Sequence, residues 1–482
     1  MKDLVASIPT DLWIGGQLTP SVSAKRFPVT NPATGAELTT VADAAVDDGL
    51  IALRRASEVQ SSWAATPSRD RAQILGRAFD LVHARAEEFA SLITLEMGKP
   101  LQESRSEVTY GAEFLRWFGE EAVRIAGRFA QSPSGTGRIL VTKNAVGPVL
   151  AITPWNFPLA MGTRKIAPAL AAGCTVIVKP AEDTPLTMLL LGQVFTEAGL
   201  PEGVLSILPT SDAAGLTGPL LLDDRLRKIT FTGSTGVGKK LVRDASDRLL
   251  RTSMELGGNA PFIVFDDADI DEAVNGCLVA KMRNGGEACT AANRIYVANS
   301  VRSEFTDKLT SRIAALTVGA GDGQGVEVGP LINEKQLLAV TALVDDAVSK
   351  GAHLRTGGSR RVGPGFFFEP TVLDDVPRDA RLLREEIFGP IAAVVGFDTE
   401  DEAITAANDT RYGLVAYFYT RDLDRAMRVA DQLDVGMVGV NRGAISDAAA
   451  PFGGTKESGF GREGGTEGIE EYLETKYVAL PT

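Results

Sequence analysis

Between residues 42 and 125 the apolar positions recur with helical spacing; the run Asp70–Leu81 sets its apolar residues on one stripe. That periodicity predicts amphipathic helices. From about residue 147 the pattern changes to short apolar runs, Val149–Ile152, Thr175–Val178, Val204–Leu208 and Lys228–Thr232, separated by helical stretches. Strands alternating with helices predict βαβ units and a doubly wound parallel sheet. After Gly257 a second set begins, with Phe262–Phe265, Ile295–Val297, Ile391–Val395 and Met437–Val440, so a second α/β domain follows the first. Gly127–Asn144 contains glycine and serine and then alternates through Arg138–Lys143, which predicts a hairpin excursion. Internal repeats and low-complexity tracts are absent.

Composition narrows the class. A chain of 482 residues, 44% hydrophobic and with 50 glycines, buries large cores in two or more domains. Its three cysteines (Cys174, Cys277, Cys289) are widely and irregularly spaced, so neither a disulfide framework nor a thiolate metal site is expected. A net charge of −13 disfavours nucleic acid or an anionic membrane as partner. No run approaches the length of a membrane span, and Met1–Val5 lacks a signal-peptide core, so a cytoplasmic protein is expected. Only two histidines exist, His83 and His353, so a carboxylate must supply any general base.

Two motifs supply such chemistry. Cys289 follows two glycines in Asn284–Thr290, and Glu255 opens Glu255-Leu256-Gly257-Gly258 upstream of it. A glycine-flanked cysteine reads as a nucleophile that substrate can approach, although a free cysteine is also often a small buried hydrophobe. A third motif, Gly233–Lys240, follows an apolar strand and opens a helix, where a phosphate is stabilised by free N–H groups. It nearly satisfies the Walker A pattern, but Lys240 stands where a hydroxyl must hold Mg²⁺, and the glycines miss the G-x-G-x-x-G spacing. An ordinary strand-to-helix turn fits it as well.

Seven ordered motifs together carry a resemblance: Pro154–Pro158, Lys179–Glu182, Phe231–Ser234, Glu255–Gly258, the Cys289 run, Glu385–Pro390, and Pro451–Gly454 followed by Lys456–Gly459. Along nearly its whole length the chain resembles the NAD(P)-dependent aldehyde dehydrogenase superfamily, and most its succinate-semialdehyde dehydrogenase branch. The resemblance implies an α/β fold: a Rossmann-type parallel-sheet cofactor domain (1–126 and 145–256), a second α/β catalytic domain (257–445), and oligomerisation and closing elements (127–144 and 446–482). It also implies a homodimer or homotetramer. Cys289 would attack the aldehyde, Asn156 and the Cys289 N–H would hold the oxyanion, and hydride would leave for the nicotinamide. Glu255 would then activate the water that hydrolyses the thioester.

The resemblance places Lys179 and Glu182 at the adenosine ribose, Ser234 at the pyrophosphate with Trp155 beside it, and Glu386 with Phe388 around the nicotinamide ribose. Ile152, Pro154, Gly233 and Gly257 complete the expected cofactor contacts. Glu182 would accept from both ribose hydroxyls and repel a 2′-phosphate, so NAD is expected over NADP, with Lys179 working the other way. Arg164 and Arg283, assisted by Ser446, would hold the far carboxylate of a semialdehyde, since arginine binds carboxylate bidentately. An ion pair beside Lys165 is the other reading of Arg164. No metal is expected. The chain departs from many relatives in carrying Glu287-Ala288 before the nucleophile, Arg442 near Ser446, and Ala291 where some have a second cysteine. Succinate semialdehyde is the leading substrate, with glutarate semialdehyde or another aliphatic aldehyde as alternatives. An acyl-transferring relative normally lacks the base that Glu255 provides, and a non-catalytic structural role on this fold is more remote.

Overall fold

The computed structural model describes residues 2–482. The predicted helices form as Val46–Ala65, Ser68–Ala84, Ala86–Met97 and Leu101–Ala122. The four apolar runs after residue 147 form the strands Val149–Ile152, Val176–Lys179, Leu205–Ile207 and Lys228–Thr232, and Arg251–Glu255 joins them as a fifth parallel strand. Most of their residues are buried, which is why each reads as a continuous apolar run rather than an alternating one.

Across the sheet these strands lie in the order Leu205–Ile207, Val176–Lys179, Val149–Ile152, Lys228–Thr232, Arg251–Glu255. The chain therefore winds outward from Val149–Ile152 in one direction and then restarts on its other side. Such a reversal opens a crevice beyond the carboxyl ends of the central strands. Short antiparallel strands complete both edges: Leu12–Ile14 with Gln17–Thr19 on one side, Gly459–Phe460 on the other.

The second sheet has seven strands, in the order His353–Thr356, Thr371–Asp374, Ile391–Phe397, Ala292–Ala298, Ala260–Val264, Val415–Tyr419, Met437–Val440. All pair in parallel except the first two. The hairpin read in Gly127–Asn144 forms as Arg128–Gln131 and Arg138–Ala145, and Leu473–Leu480 lies antiparallel along the longer strand over all eight residues. The pairs Leu12–Ile14 with Gln17–Thr19 and Arg26–Asn31 with Ala36–Ala42 are additions to the sequence reading. Among the described residues no helix is long and apolar enough to cross a membrane.

Candidate active site

The register of the first sheet sets Ile152 beside Lys179 and Phe231, and Thr232 beside Glu255. The loops that leave these ends carry most of the residues singled out from sequence. A cavity of about 560 Å³ lies between them and the second sheet. Pro154, Trp155, Asn156, Glu182, Gly233, Ser234, Gly257, Cys289, Glu386 and Phe388 all line it. Ile152 and Lys179 stand just behind as buried strand ends.

Ser234 is the N-cap of the helix Thr235–Ser246, yet its hydroxyl makes no cap bond. That leaves a hydroxyl and the first N–H groups of a twelve-residue helix at the cavity wall, which suits a phosphate. At one end of the cavity Lys179 Nζ donates to Glu182 Oε2 at 3.0 Å. Burial pushes the Glu182 carboxyl upward, but Lys179 and Lys335 outweigh it and hold the group below the usual carboxylate range, so it is ionised. At the other end Gly258 N–H donates to Glu386 Oε1 at 3.1 Å, and burial pushes that carboxyl up to about 7. A Cβ on Gly257 would lie 2.5 Å from Glu386 Oε2, so this approach requires glycine. Phe388 adopts φ 51°, an uncommon conformation for a bulky side chain, and meets Trp155 edge-on at 5.3 Å. Two carboxylates, Glu182 and Glu386, thus line the one cavity and could each accept from the hydroxyls of a ribose.

Cys289 sits beyond a tight turn. Asn284, Gly285 and Gly286 have φ of 56°, 60° and 76°, and a Cβ on Gly286 would fall 2.2 Å from the Gly389 carbonyl oxygen. The turn delivers Cys289, half-buried, to the cavity. Burial pushes its thiol up to about 12; Arg164 and Arg283 pull down, Glu386 and Glu255 push up. The resting thiol is therefore neutral and needs a base. Glu255 ends its strand almost wholly buried, with neither carboxyl oxygen bonded. Burial first and the Glu463 carboxylate second raise it well above the ordinary range, against Arg164, Lys165 and Arg462. A buried, unbonded carboxylate held above the ordinary carboxylate range can serve as a general base.

Asn156 Nδ2 donates to the Glu287 carbonyl at 3.1 Å, and its own carbonyl accepts from Lys99 Nζ at 2.7 Å and Asn284 Nδ2 at 3.1 Å. Lys99 also reaches Glu107 at 2.6 Å, whose other oxygen accepts from Leu159 N–H at 2.9 Å and Ala160 N–H at 3.3 Å at the start of the helix Pro158–Ala172. Glu103 accepts the Asn284 N–H at 2.7 Å. The Asn156 loop and the Cys289 loop are thus braced from one side by charged groups at the start of the helix Leu101–Ala122. Glu287 is buried, accepts Ile332 N–H at 3.1 Å, and is pushed well above the ordinary carboxylate range by burial.

On the far side of Cys289, Arg164 is buried between the rings of Phe452, 4.1 Å from its guanidinium carbon, and Phe114, 5.6 Å away. It forms an ion pair with Glu463, which Lys165 shares. The ion-pair reading of Arg164 therefore describes its ε-nitrogen, but Nη2 is buried without a partner. Arg283 is half-buried, 5.3 Å from the Phe157 ring, with Nη2 donating to Thr290 Oγ1 at 3.4 Å. Ser446 is half-buried beside Tyr110. Arg442 is exposed.

The pattern of the "Aldehyde dehydrogenase family" matches residues 18–478. The chain belongs to the aldehyde dehydrogenase family. It is 59% identical to a succinate-semialdehyde dehydrogenase of Paenarthrobacter nicotinovorans over 92% of this chain and 98% of that one. It is 47% identical to a glutarate-semialdehyde dehydrogenase of Pseudomonas aeruginosa over 97% of each. It superposes with a TM-score of 0.97 on the crystal structure of an NADP-dependent enzyme from E. coli, 43% identical, covering 100% of this chain and 99% of that one.

As an aldehyde dehydrogenase the chain holds charges that sequence reasoning passed over: the buried Lys99, Glu107 and Glu463 and the half-buried Glu103. Glu103 and Glu107 sit one helical turn apart, and Tyr110 and Phe114 continue the same face. That spacing was the available signal. Among the described residues no group of three or more His, Cys, Asp or Glu is arranged to hold a metal ion.

Proposed function

We propose that this aldehyde dehydrogenase oxidises a carboxylate-bearing semialdehyde, succinate semialdehyde foremost, with NAD as the preferred cofactor. The observation that carries the substrate class is the pair Arg164 and Arg283. Both lie close enough to Cys289 to pull its thiol pKa down, and Arg164 Nη2 is buried without an acceptor. The 59% identity to a succinate-semialdehyde dehydrogenase supports the same reading, and the glutarate-semialdehyde relative keeps the next homologue as the second reading.

In this reading Glu255 takes the Cys289 proton as sulfur bonds to the aldehyde carbon and releases it to solvent before it acts again. Asn156 Nδ2 and the Cys289 N–H stabilise the oxyanion. Nicotinamide, when bound, supplies the hydride acceptor that makes the step an oxidation. Collapse of the oxyanion leaves a thioester on Cys289, and Glu255 deprotonates the water that displaces the thiolate as carboxylic acid forms. The preference for NAD rests on the ionised Glu182, which accepts ribose hydroxyls and repels a 2′-phosphate; Lys179 and Lys335 beside it reduce that repulsion. Three free cysteines support a reducing, cytoplasmic setting. The exposed edge strand Arg128–Gln131, with Phe129 and Tyr477 at the surface, supports a homodimer or homotetramer.

The test is kcat/KM, followed by NADH absorbance, across semialdehydes of three to six carbons and butanal. A maximum at four carbons supports the proposal, a maximum at five moves it to glutarate semialdehyde, and no advantage over butanal removes it.

A further inference from the structure

Tyr110 lies on the helix Leu101–Ala122, on the face that also carries Glu103, Glu107 and Phe114. Its ring meets Phe114 edge-on at 5.0 Å and 74°. Its hydroxyl is buried near enough to Arg164 and Arg283 to feel both charges; the Ser446 hydroxyl bears on it, but it makes no hydrogen bond of standard geometry. A buried tyrosine hydroxyl ordinarily finds one, and a phenylalanine would pack against Phe114 equally well.

The surroundings say what is missing. Arg164 Nη2 is likewise buried and unpartnered, and Arg283 makes a 3.4 Å contact to Thr290. Glu463, the carboxylate that bears on the phenol, is already shared by Arg164 and Lys165. Arg164 Nη2 and the Tyr110 hydroxyl are thus donors left without an acceptor, while Glu463 is taken up by Arg164 and Lys165. Resting on the semialdehyde reading above, we propose that Tyr110 donates a hydrogen bond to the substrate's terminal carboxylate, alongside Arg164, Arg283 and Ser446. A carboxylate has two oxygens and about four lone-pair sites, enough for all four. Burial pushes the phenol further up than Arg164 and Arg283 pull it down, so the donor keeps its proton through the working pH range. A neutral donor adds a further directional contact beside the two guanidinium groups, and so helps to fix the carboxylate's orientation relative to Cys289.

The test is Tyr110→Phe, which deletes one oxygen, measured beside Arg283→Ala. Kinetics with succinate semialdehyde and butanal are combined with the melting temperature with and without succinate. The ratio of kcat/KM for succinate semialdehyde to that for butanal falls by about 10-fold or more in Tyr110→Phe, chiefly through KM. The ligand-free melting temperature is equal or higher, because an unsatisfied buried hydroxyl is gone, while the rise produced by succinate shrinks. A lower ligand-free melting temperature with equal losses on both aldehydes overturns the proposal and makes the hydroxyl structural. An unmoved ratio in Tyr110→Phe beside a lowered one in Arg283→Ala overturns Tyr110's role and leaves the semialdehyde reading standing. An unmoved ratio in both variants removes that reading, and the proposal with it.

Discussion

Replacing Lys99 by methionine tests whether the brace behind Asn156 contributes to catalysis or only to folding. Methionine keeps the length of the side chain and removes its charge and donors. The Lys99 and Glu107 side chains are 1% and 0% exposed and 2.6 Å apart, so the change orphans a buried carboxylate. Breaking a buried pair from one side costs about 3–5 kcal/mol. Glu107 keeps the Leu159 and Ala160 N–H groups, which lowers the expected loss to about 2–4 kcal/mol. Asn156 loses the 2.7 Å bond at its carbonyl but keeps the one from Asn284. Deleting an oxyanion donor outright costs about 10²–10³ in kcat, so a loosened one costs about 10- to 100-fold. Urea unfolding gives the first quantity and NADH production the second, on succinate semialdehyde and butanal alike. The double variant Lys99→Met with Glu107→Leu separates them, because removing both charges recovers stability without restoring the hold on Asn156. Recovery of kcat along with stability in the double variant would refute the positioning argument.

Three further outcomes follow from the site. The parent enzyme has kcat/KM at least about tenfold higher with NAD than with NADP, about 1.4 kcal/mol, and Glu182→Ser narrows the gap; equal use of NADP contradicts the role given to Glu182. Glu255→Gln slows turnover and also removes the pre-steady-state burst of NADH and the acyl adduct on Cys289 sought by mass spectrometry, whereas a retained burst and adduct restrict Glu255 to hydrolysis of the thioester. Because burial and Glu463 raise the Glu255 pKa, its base form is depleted as pH falls through that raised value, so kcat/KM declines on acidification with a midpoint above the ordinary carboxylate value of about 4.3; a profile flat from about pH 5 to 9 excludes Glu255 as the base.

The parallel strands were legible because burial on both faces writes a continuous apolar run such as Val176–Lys179. Leu12–Ile14 and Gln17–Thr19 were not, since three residues hold too little pattern to show a period of two. Cys289 and Glu255 stood out because glycines surround them, and the turn at Asn284–Gly286 shows what the glycines are for. Lys99, Glu107 and Glu463 look in the sequence like ordinary surface charges. Their burial depends on partners brought by folding: Lys165 and Glu463 are 298 positions apart. Tyr110 was hidden for the opposite reason, as an aromatic on an amphipathic helix is normally core.

The carboxylate shared by Arg164 and Lys165 has a consequence for biosynthesis. The ribosome delivers both cations, and the helix that buries them, long before it delivers Glu463, and strand Gly459–Phe460 at the sheet's edge comes equally late. Until then only the Glu255 carboxylate bears on these two cations, and the first sheet cannot reach its final packing before Glu463 arrives. The order of synthesis and the order of assembly therefore diverge in this chain: an ion cluster at the first sheet waits for a residue made 298 positions after Lys165.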